Sequence, residues 1–279
     1  MASRTVSTGR TRRPRLTMAQ KADPHALYQD SVQCAEAEID FADDTYRKLR
    51  RRRAMTLRED FCGTALVCCE WVRRRSGNIA FGVDLDGAVL EWGSEHNVAK
   101  LRPAARQRIS LIHDDVMTVK LRPVDIILAM NFSYWLFKQR AHLRAYFERV
   151  HAGLARDGVF FLDCYGGHDA FKVVRERTPQ KRYTYIWHQA AYNPVNGDYT
   201  CHISFSFPDG SRLPKAFSYH WRLWTLPEIR EVLAEAGFRK STVYWQAWDE
   251  KRNEVSAEFF PTEQGEAEPG WLAYIVAEK

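Results

Sequence analysis

The chain reads as an α/β protein: an open, mostly parallel sheet flanked by helices, interrupted late by a β-rich insertion. Three observations predict this. Between residues 54 and 164, short apolar runs alternate with segments of helix length, the order that right-handed βαβ crossovers impose on a parallel sheet. Glu59, Asp84, Asp115 and Asn131 each fall at the carboxyl end of one of those apolar runs, where open α/β sheets gather their ligands. From residue 182 to 224 the sequence turns aromatic and β-rich, punctuated by Asn193-Pro194-Val195-Asn196-Gly197-Asp198 and Pro208-Asp209-Gly210-Ser211.

The elements follow in order. Residues 1–22 contain Arg4, Arg10, Arg12, Arg13, Arg15 and Lys21 but no acid, and are expected to be a disordered basic tail; an organelle transit peptide has the same composition. Residues 23–53 form a helical cap of one or two helices, with Leu27, Val32, Ala35, Ile39 and Phe41 at irregular helical spacing. The cap ends in Arg47-Lys48-Leu49-Arg50-Arg51-Arg52-Arg53, cations suited to a helix carboxyl terminus. The α/β core at 54–165 has strands expected at 55–58, 79–83, 109–113, 124–130 and 159–163, and helices at 64–74, 88–99 and 138–155. Gly166-Gly167 breaks the alternation. The segment 166–224 then predicts three antiparallel strands, and the alternation in Cys201-His202-Ile203-Ser204-Phe205-Ser206-Phe207 suits a half-buried sheet. Because it interrupts the core, it reads as a lid over a substrate.

Composition narrows the function. With 279 residues, 45% of them apolar, the chain can bury one sizeable core and a cap without staples. No apolar run approaches the roughly 20 residues that cross a bilayer, and no signal-peptide segment follows the start, so no membrane association is expected. Six cysteines without paired C-x-x-C spacing argue against a disulfide framework or a metal site, and point to a reducing, cytoplasmic setting. The net charge of +6 is that of the tail: without its six cations, 35 basic residues face 35 acids. A neutral body disfavours nucleic acid as a partner. Whether the chain is a monomer or a dimer is left open.

The most informative stretch is Leu57-Arg58-Glu59-Asp60-Phe61-Cys62-Gly63-Thr64-Ala65-Leu66, followed by Phe81-Gly82-Val83-Asp84-Leu85-Asp86. A small-residue turn after the first strand lets a ligand approach the backbone, and an acid ending the second can grip ribose hydroxyls. Glu59 and Asp84 are 25 residues apart, near the roughly 20 expected of a dinucleotide fold. Yet Gly63 is the only glycine in the turn, which disfavours a pyrophosphate and suits a phosphate-free nucleoside.

Glu59-Asp60-Phe61-Cys62-Gly63-Thr64-Ala65 resembles the (D/E)-x-G-C-G-T-G motif I of class I S-adenosylmethionine-dependent methyltransferases, with Phe61 in place of the first glycine and Ala65 in place of the last. Gly82-Val83-Asp84-Leu85-Asp86 resembles their second motif, Leu111-Ile112-His113-Asp114-Asp115-Val116 their third strand, and residues 124–134 the fourth strand and the loop beneath the transferred methyl group. Residues 217–229 and 235–238 look like the final helix leading into terminal antiparallel strands, so that 225–279 complete the core. The resemblance implies a Rossmann-like sheet with an antiparallel terminal hairpin, S-adenosylmethionine as cofactor and S-adenosylhomocysteine as product. It also implies a cofactor site of Glu59, Phe61, Cys62, Gly63, Thr64, Asp84, Leu85, Asp115, Val116 and Asn131, with Asp84 on the ribose and Asp115 at the adenine.

Methyl transfer needs positioning, dryness and a place for a proton, not a nucleophilic side chain or a metal. Asn131-Phe132-Ser133-Tyr134 keeps the ends of the (D/N)-P-P-(Y/F/W) motif of amino-methylating relatives without its prolines. A nucleobase or glutamine acceptor is discounted accordingly. His188 and His220, together with His168 and His202, are candidate bases, and Tyr134 is a further catalytic candidate. Tyr28, Gln33, Tyr134, Tyr165, Tyr219 and Arg222 are candidate substrate contacts, Arg222 for a substrate carboxylate. The resulting expectation is methylation of an oxygen or nitrogen on a small-molecule acceptor. Two rivals stand beside it: a methyltransferase of RNA, DNA or protein using the basic segments, and a non-catalytic cofactor-binding or scaffold protein.

Overall fold

The computed structural model describes residues 15–249 and 254–279. Parallel strands β1 (Thr56–Asp60), β2 (Ile79–Asp84), β3 (Ile109–His113), β4 (Val124–Ala129) and β5 (Leu154–Gly166) form one side of an eight-stranded sheet. The other side is antiparallel: β10 (Lys240–Asp249), β11 (Glu254–Thr262) and β12 (Trp271–Glu278), in the order β11-β10-β12-β5-β4-β1-β2-β3. The terminal antiparallel element is thus three strands, with β12 slotted between β5 and β10. Every residue of β4 is buried, as expected of a central parallel strand covered on both faces.

Two helical layers cover the sheet. On one face α3 (Ala35–Arg50), α4 (Leu66–Arg74) and α5 (Gly87–His96) bury Ile39, Tyr46, Trp71 and Leu90 against Leu57, Ile126 and Phe161. On the other, α7 (Arg140–Gly153) and α8 (Leu226–Glu235) bury Phe147, Val150, Ile229 and Leu233 against Ile127, Phe160 and Ile275. Among the described residues no helix is long and apolar enough to cross a membrane.

The insertion departs from expectation. It is a sheet of four strands, β6 (Val174–Pro179), β7 (Thr184–Tyr192), β8 (Asp198–Ser206) and β9 (Arg212–Arg222), paired in that order. The extra strand, Val-Arg-Glu-Arg-Thr-Pro, is a mostly exposed edge whose charges and proline hide its β character while discouraging further pairing. The amino-terminal segment differs too. Residues 1–14 of the predicted tail lie outside the described residues, but residues 18–21 form a short helix, α1 (Met18–Lys21), with a Thr17–Gln20 capping box. Asp209 and Ser211 of the lid accept its Met18 and Ala19 N–H groups at 2.7 and 3.0 Å.

The basic run serves the fold. Asp125, almost fully buried at the start of β4, accepts from the Met55 and Thr56 amides at 2.8 and 3.0 Å, from Thr56 Oγ1 at 3.0 Å and from Arg52 at 2.8 Å. Although burial opposes ionisation, these donors hold its carboxyl below the usual range. Arg52 also pairs with Asp157, and Arg50 pairs with Glu278 at 2.6 Å, so two of the arginines tie the cap to the sheet. Removing Asp125 leaves the Met55 and Thr56 amides and the Thr56 hydroxyl without their acceptor at the entry to β1. We expect Asp125→Ala to lose about 3 kcal/mol of stability, read as a lower urea midpoint.

Candidate active site

The site grows from the carboxyl ends of β1, β2, β3 and β4. After β1 the chain turns through Phe61, Gly63 and Ala65, all left-handed with φ of 57°, 51° and 56°. The motif's missing glycines are therefore replaced in residue type but not in backbone conformation, at a cost of roughly 1–2 kcal/mol per non-glycine residue. A Cβ on Gly63 would meet nothing within 4 Å, so its constraint is conformational. Gly93 is different: its missing side chain lets α5 press against the Thr64 carbonyl, which Asn97 Nδ2 also contacts at 2.8 Å.

Carboxylates anchor the loops through backbone amides. Asp84 accepts from Gly63 N at 2.7 Å and from Asp86 N at 2.9 Å, joining the first two loops. Asp115 accepts from Met117 N at 2.9 Å. Glu59, buried, accepts from Cys68 N at 3.1 Å inside the first turn of α4, where the helix dipole favours a negative charge. Beyond β4, Asn131 and Phe132 are again left-handed, at φ of 58° and 57°. Their successive N–H groups grip the Asp163 carboxylate at 2.8 and 2.9 Å. Burial pushes Glu59 up to about 8, and Glu38 and Asp163 each up to about 7; the Glu38 charge adds to the rise at both Glu59 and Asp163.

These loops enclose a cavity of about 800 Å³. All ten residues expected to bind the cofactor line it, from Glu59 and Phe61 through Asp84, Leu85, Asp115 and Val116 to Asn131. Tyr28 and Gln33 of the cap reach it from α2 (Pro24–Val32) and the residue after it, while Gln29 Nε2 donates to Thr64 Oγ1 at 2.5 Å. Six acids line the wall, and among the described residues no lysine or arginine does. One of the six, Asp60, is spent on Arg58 and Tyr146; the others face the space without a cationic partner. Two buried acceptors nearby, Gln33 Oε1 and Glu38 Oε2, meet no hydrogen-bond donor among the described residues.

A second chamber of about 450 Å³ lies under the lid sheet. It shares Tyr28, Asn131, Tyr219 and Trp221 with the first, so the two meet at a throat of three rings and one amide. Tyr165 belongs to this second chamber.

Six expected residues lie elsewhere. Alternation along β7 and β9 turns His188 and His220 to the face of the lid away from both cavities, where His188 sits 6.0 Å from His202 between ring centroids. His202 is tied there to Ser218, and His168 stands exposed beside Asp169. Tyr134 is wholly buried, its hydroxyl donating to the Asp163 carbonyl at 2.7 Å, and it supports the loop from behind. Arg222 pairs with Glu228 at 2.8 Å over the Trp224 ring, which leaves no fork for a substrate carboxylate. Sequence reasoning missed Asp163, His25 and Glu38. Asp163 carries the same signal as Asp84, an acid ending a strand; Glu38 has none, since its burial depends on how α3 docks.

Neither the family models nor the curated proteins give a match. Solved structures do. An S-adenosylmethionine-dependent methyltransferase from Clostridium acetobutylicum is similar at a TM-score of 0.63 and 15% identity, covering 91% of this chain and 96% of its own. An amino pentose methyltransferase from Micromonospora echinaspora gives 0.63 and 16%, with 91% and 95% covered. A sugar N-methyltransferase from Streptoalloteichus gives 0.61 and 15%, with 100% and 99% covered. The chain has the Rossmann-like fold of class I S-adenosylmethionine-dependent methyltransferases.

The raised carboxyls set a pH dependence. Because Glu59 binds its proton more tightly folded than unfolded, the folded state holds the extra proton across the neutral range, and stability falls as pH rises. From the ordinary glutamate range up to about pH 8, the thermal midpoint of the ligand-free protein should decline. Glu59→Gln should flatten that decline, as measured by circular dichroism; an unchanged slope counts against the burial argument.

Proposed function

We propose that the chain is an S-adenosylmethionine-dependent methyltransferase acting on an oxygen or nitrogen of a small molecule. The observation that carries this reading is the larger cavity: a nucleoside-sized space walled by carboxylates, free of lysine and arginine among the described residues, and opening through one throat into an aromatic chamber. Such a wall repels phosphates and attracts a ligand with positive charge and no phosphate. The unpartnered Gln33 and Glu38 oxygens suit an ammonium group in particular.

When bound, the cofactor supplies an electrophilic methyl group on a positively charged sulfur. Asp84 holds the ribose, each oxygen having a lone pair beyond those used for Gly63 and Asp86. Asp115 and Val116 border the adenine. Asp163 keeps the Asn131 loop in its left-handed form, so that the Asn131 side chain stands at the throat. The rings of Tyr28, Tyr219 and Trp221 exclude water there. The names of the amino pentose and sugar N-methyltransferases that share the fold support a small acceptor. A macromolecular acceptor is less well supported, because Arg50 and Arg52 of the basic run are committed to Glu278, Asp125 and Asp157. The substituted glycines that motivated a non-catalytic scaffold keep glycine-like backbone conformations.

The test is calorimetry with S-adenosylhomocysteine. Asp84→Ala removes two charge-assisted acceptors and should weaken binding by roughly 10–100-fold. Asp84→Asn, which still accepts from Gly63, should fall between. Unchanged tight binding in both variants rules out the ribose role.

A further inference from the structure

We propose that the lid chamber takes an organic amine as the methyl acceptor, with the positive charge that forms on nitrogen held among aromatic rings at the throat. This rests on the methyl-transfer reading and names its substrate class. The chamber walls are Tyr165, Tyr185, Trp187, Tyr219, Trp221 and Trp271, drawn from both the core sheet and the lid. Tyr219 and Trp221 stack with centroids 4.3 Å apart, and Trp187 lies 6.3 and 6.4 Å from them. Ring faces of this kind attract organic cations, tryptophan most strongly.

The charged groups agree. Among the described residues no lysine, arginine or histidine lines the chamber, and two carboxylates do. Asp169 is engaged with Lys172 at 2.5 Å, whereas Glu176 makes no ion pair among the described residues. An acceptor bearing a phosphate or carboxylate would find no partner here. An amine would find both rings and a counter-charge.

The throat also discriminates nitrogen from oxygen. Its four residues are Tyr28, Asn131, Tyr219 and Trp221, and none can take a proton at neutral pH. Burial pushes Tyr28 up to about 12 and Tyr219 well above the usual tyrosine range, so both hydroxyls remain protonated. A hydroxyl acceptor would need a base at that point. Methylation of an amine that enters as the free base does not: with its ammonium proton already left in bulk water, the nitrogen lone pair forms the N–C bond, the C–S pair stays on sulfur, and one unit of positive charge passes from sulfur to nitrogen. The proton of the resulting ammonium leaves to water afterwards. Because the charge crosses the throat in the transition state, rings placed there favour that state over the neutral amine.

The probes are choline and its uncharged isostere 3,3-dimethylbutan-1-ol, titrated by tryptophan fluorescence with and without saturating S-adenosylhomocysteine, whose own binding is followed by calorimetry. Choline should bind about tenfold more tightly than the isostere. Trp187→Leu should reduce that preference by roughly threefold or more while S-adenosylhomocysteine binds as before, and Glu176→Gln, a change at an exposed edge, should reduce it at low salt. Normal S-adenosylhomocysteine binding with no preference for choline overturns the amine assignment and leaves methyl transfer standing. Failure of S-adenosylhomocysteine to bind overturns both.

Discussion

Carboxylates crowd the carboxyl rim of the sheet and, apart from Asp60 on Arg58, have no cationic side chain among the described residues to neutralise them; much of the surrounding structure answers to that constraint. Asp84, Asp115 and Asp163 are held by backbone N–H groups of the neighbouring loops, and Glu59 and Asp86 by the first turns of α4 and α5. Amides fix the geometry of a carboxylate but do not cancel its charge. At Asp84, Asp86 and Asp115 the rim is thereby rigid and still negative, while Glu59 keeps its proton across the neutral range, so the surface complements a cationic ligand and not a phosphate.

Holding the rim this way requires unusual backbone. Phe61, Ala65, Asn131 and Phe132 all take left-handed conformations that glycine would adopt more readily. The first loop is pinned from two sides, Gly63 by Asp84 and Thr64 by Asn97, and the second by the single carboxylate of Asp163, which takes both the Asn131 and Phe132 amides. Four of the six left-handed non-glycine residues among the described residues fall in two loops that border the same space, the pattern of a site whose geometry matters more than its local stability. The residues that supply the strain also supply surface: Phe61 lines the larger cavity, Phe132 the smaller, and Asn131 both.

The lid divides its two faces by chemistry. Period-two alternation sends Tyr185, Trp187, Tyr219 and Trp221 inward and His188, His202 and His220 outward. The inward face meets the cap through Tyr28, Leu27 and Val32, so cap and lid close over the rim together. Ser31 and Asp30 reach the Tyr183 hydroxyl at 2.9 and 2.6 Å across that seam.

The sequence alone carried the parallel core, because each of its strands is a short apolar run ended by a polar residue, and those signals are local. The acids it marked at strand ends share one cavity because parallel strands present all their carboxyl ends to the same rim. What only the tertiary structure decided depends on pairing and docking. The charged edge strand Val174–Pro179 is stabilised by its neighbour β7 rather than by its own propensity. Which face of β7 and β9 looks inward, and so whether a histidine or a tryptophan lines the smaller cavity, was set by register, where a shift of one residue exchanges the faces. The partners of Arg222 and Tyr134 lie on elements distant in sequence or brought close by turns, and no reading of neighbours along the chain reaches them.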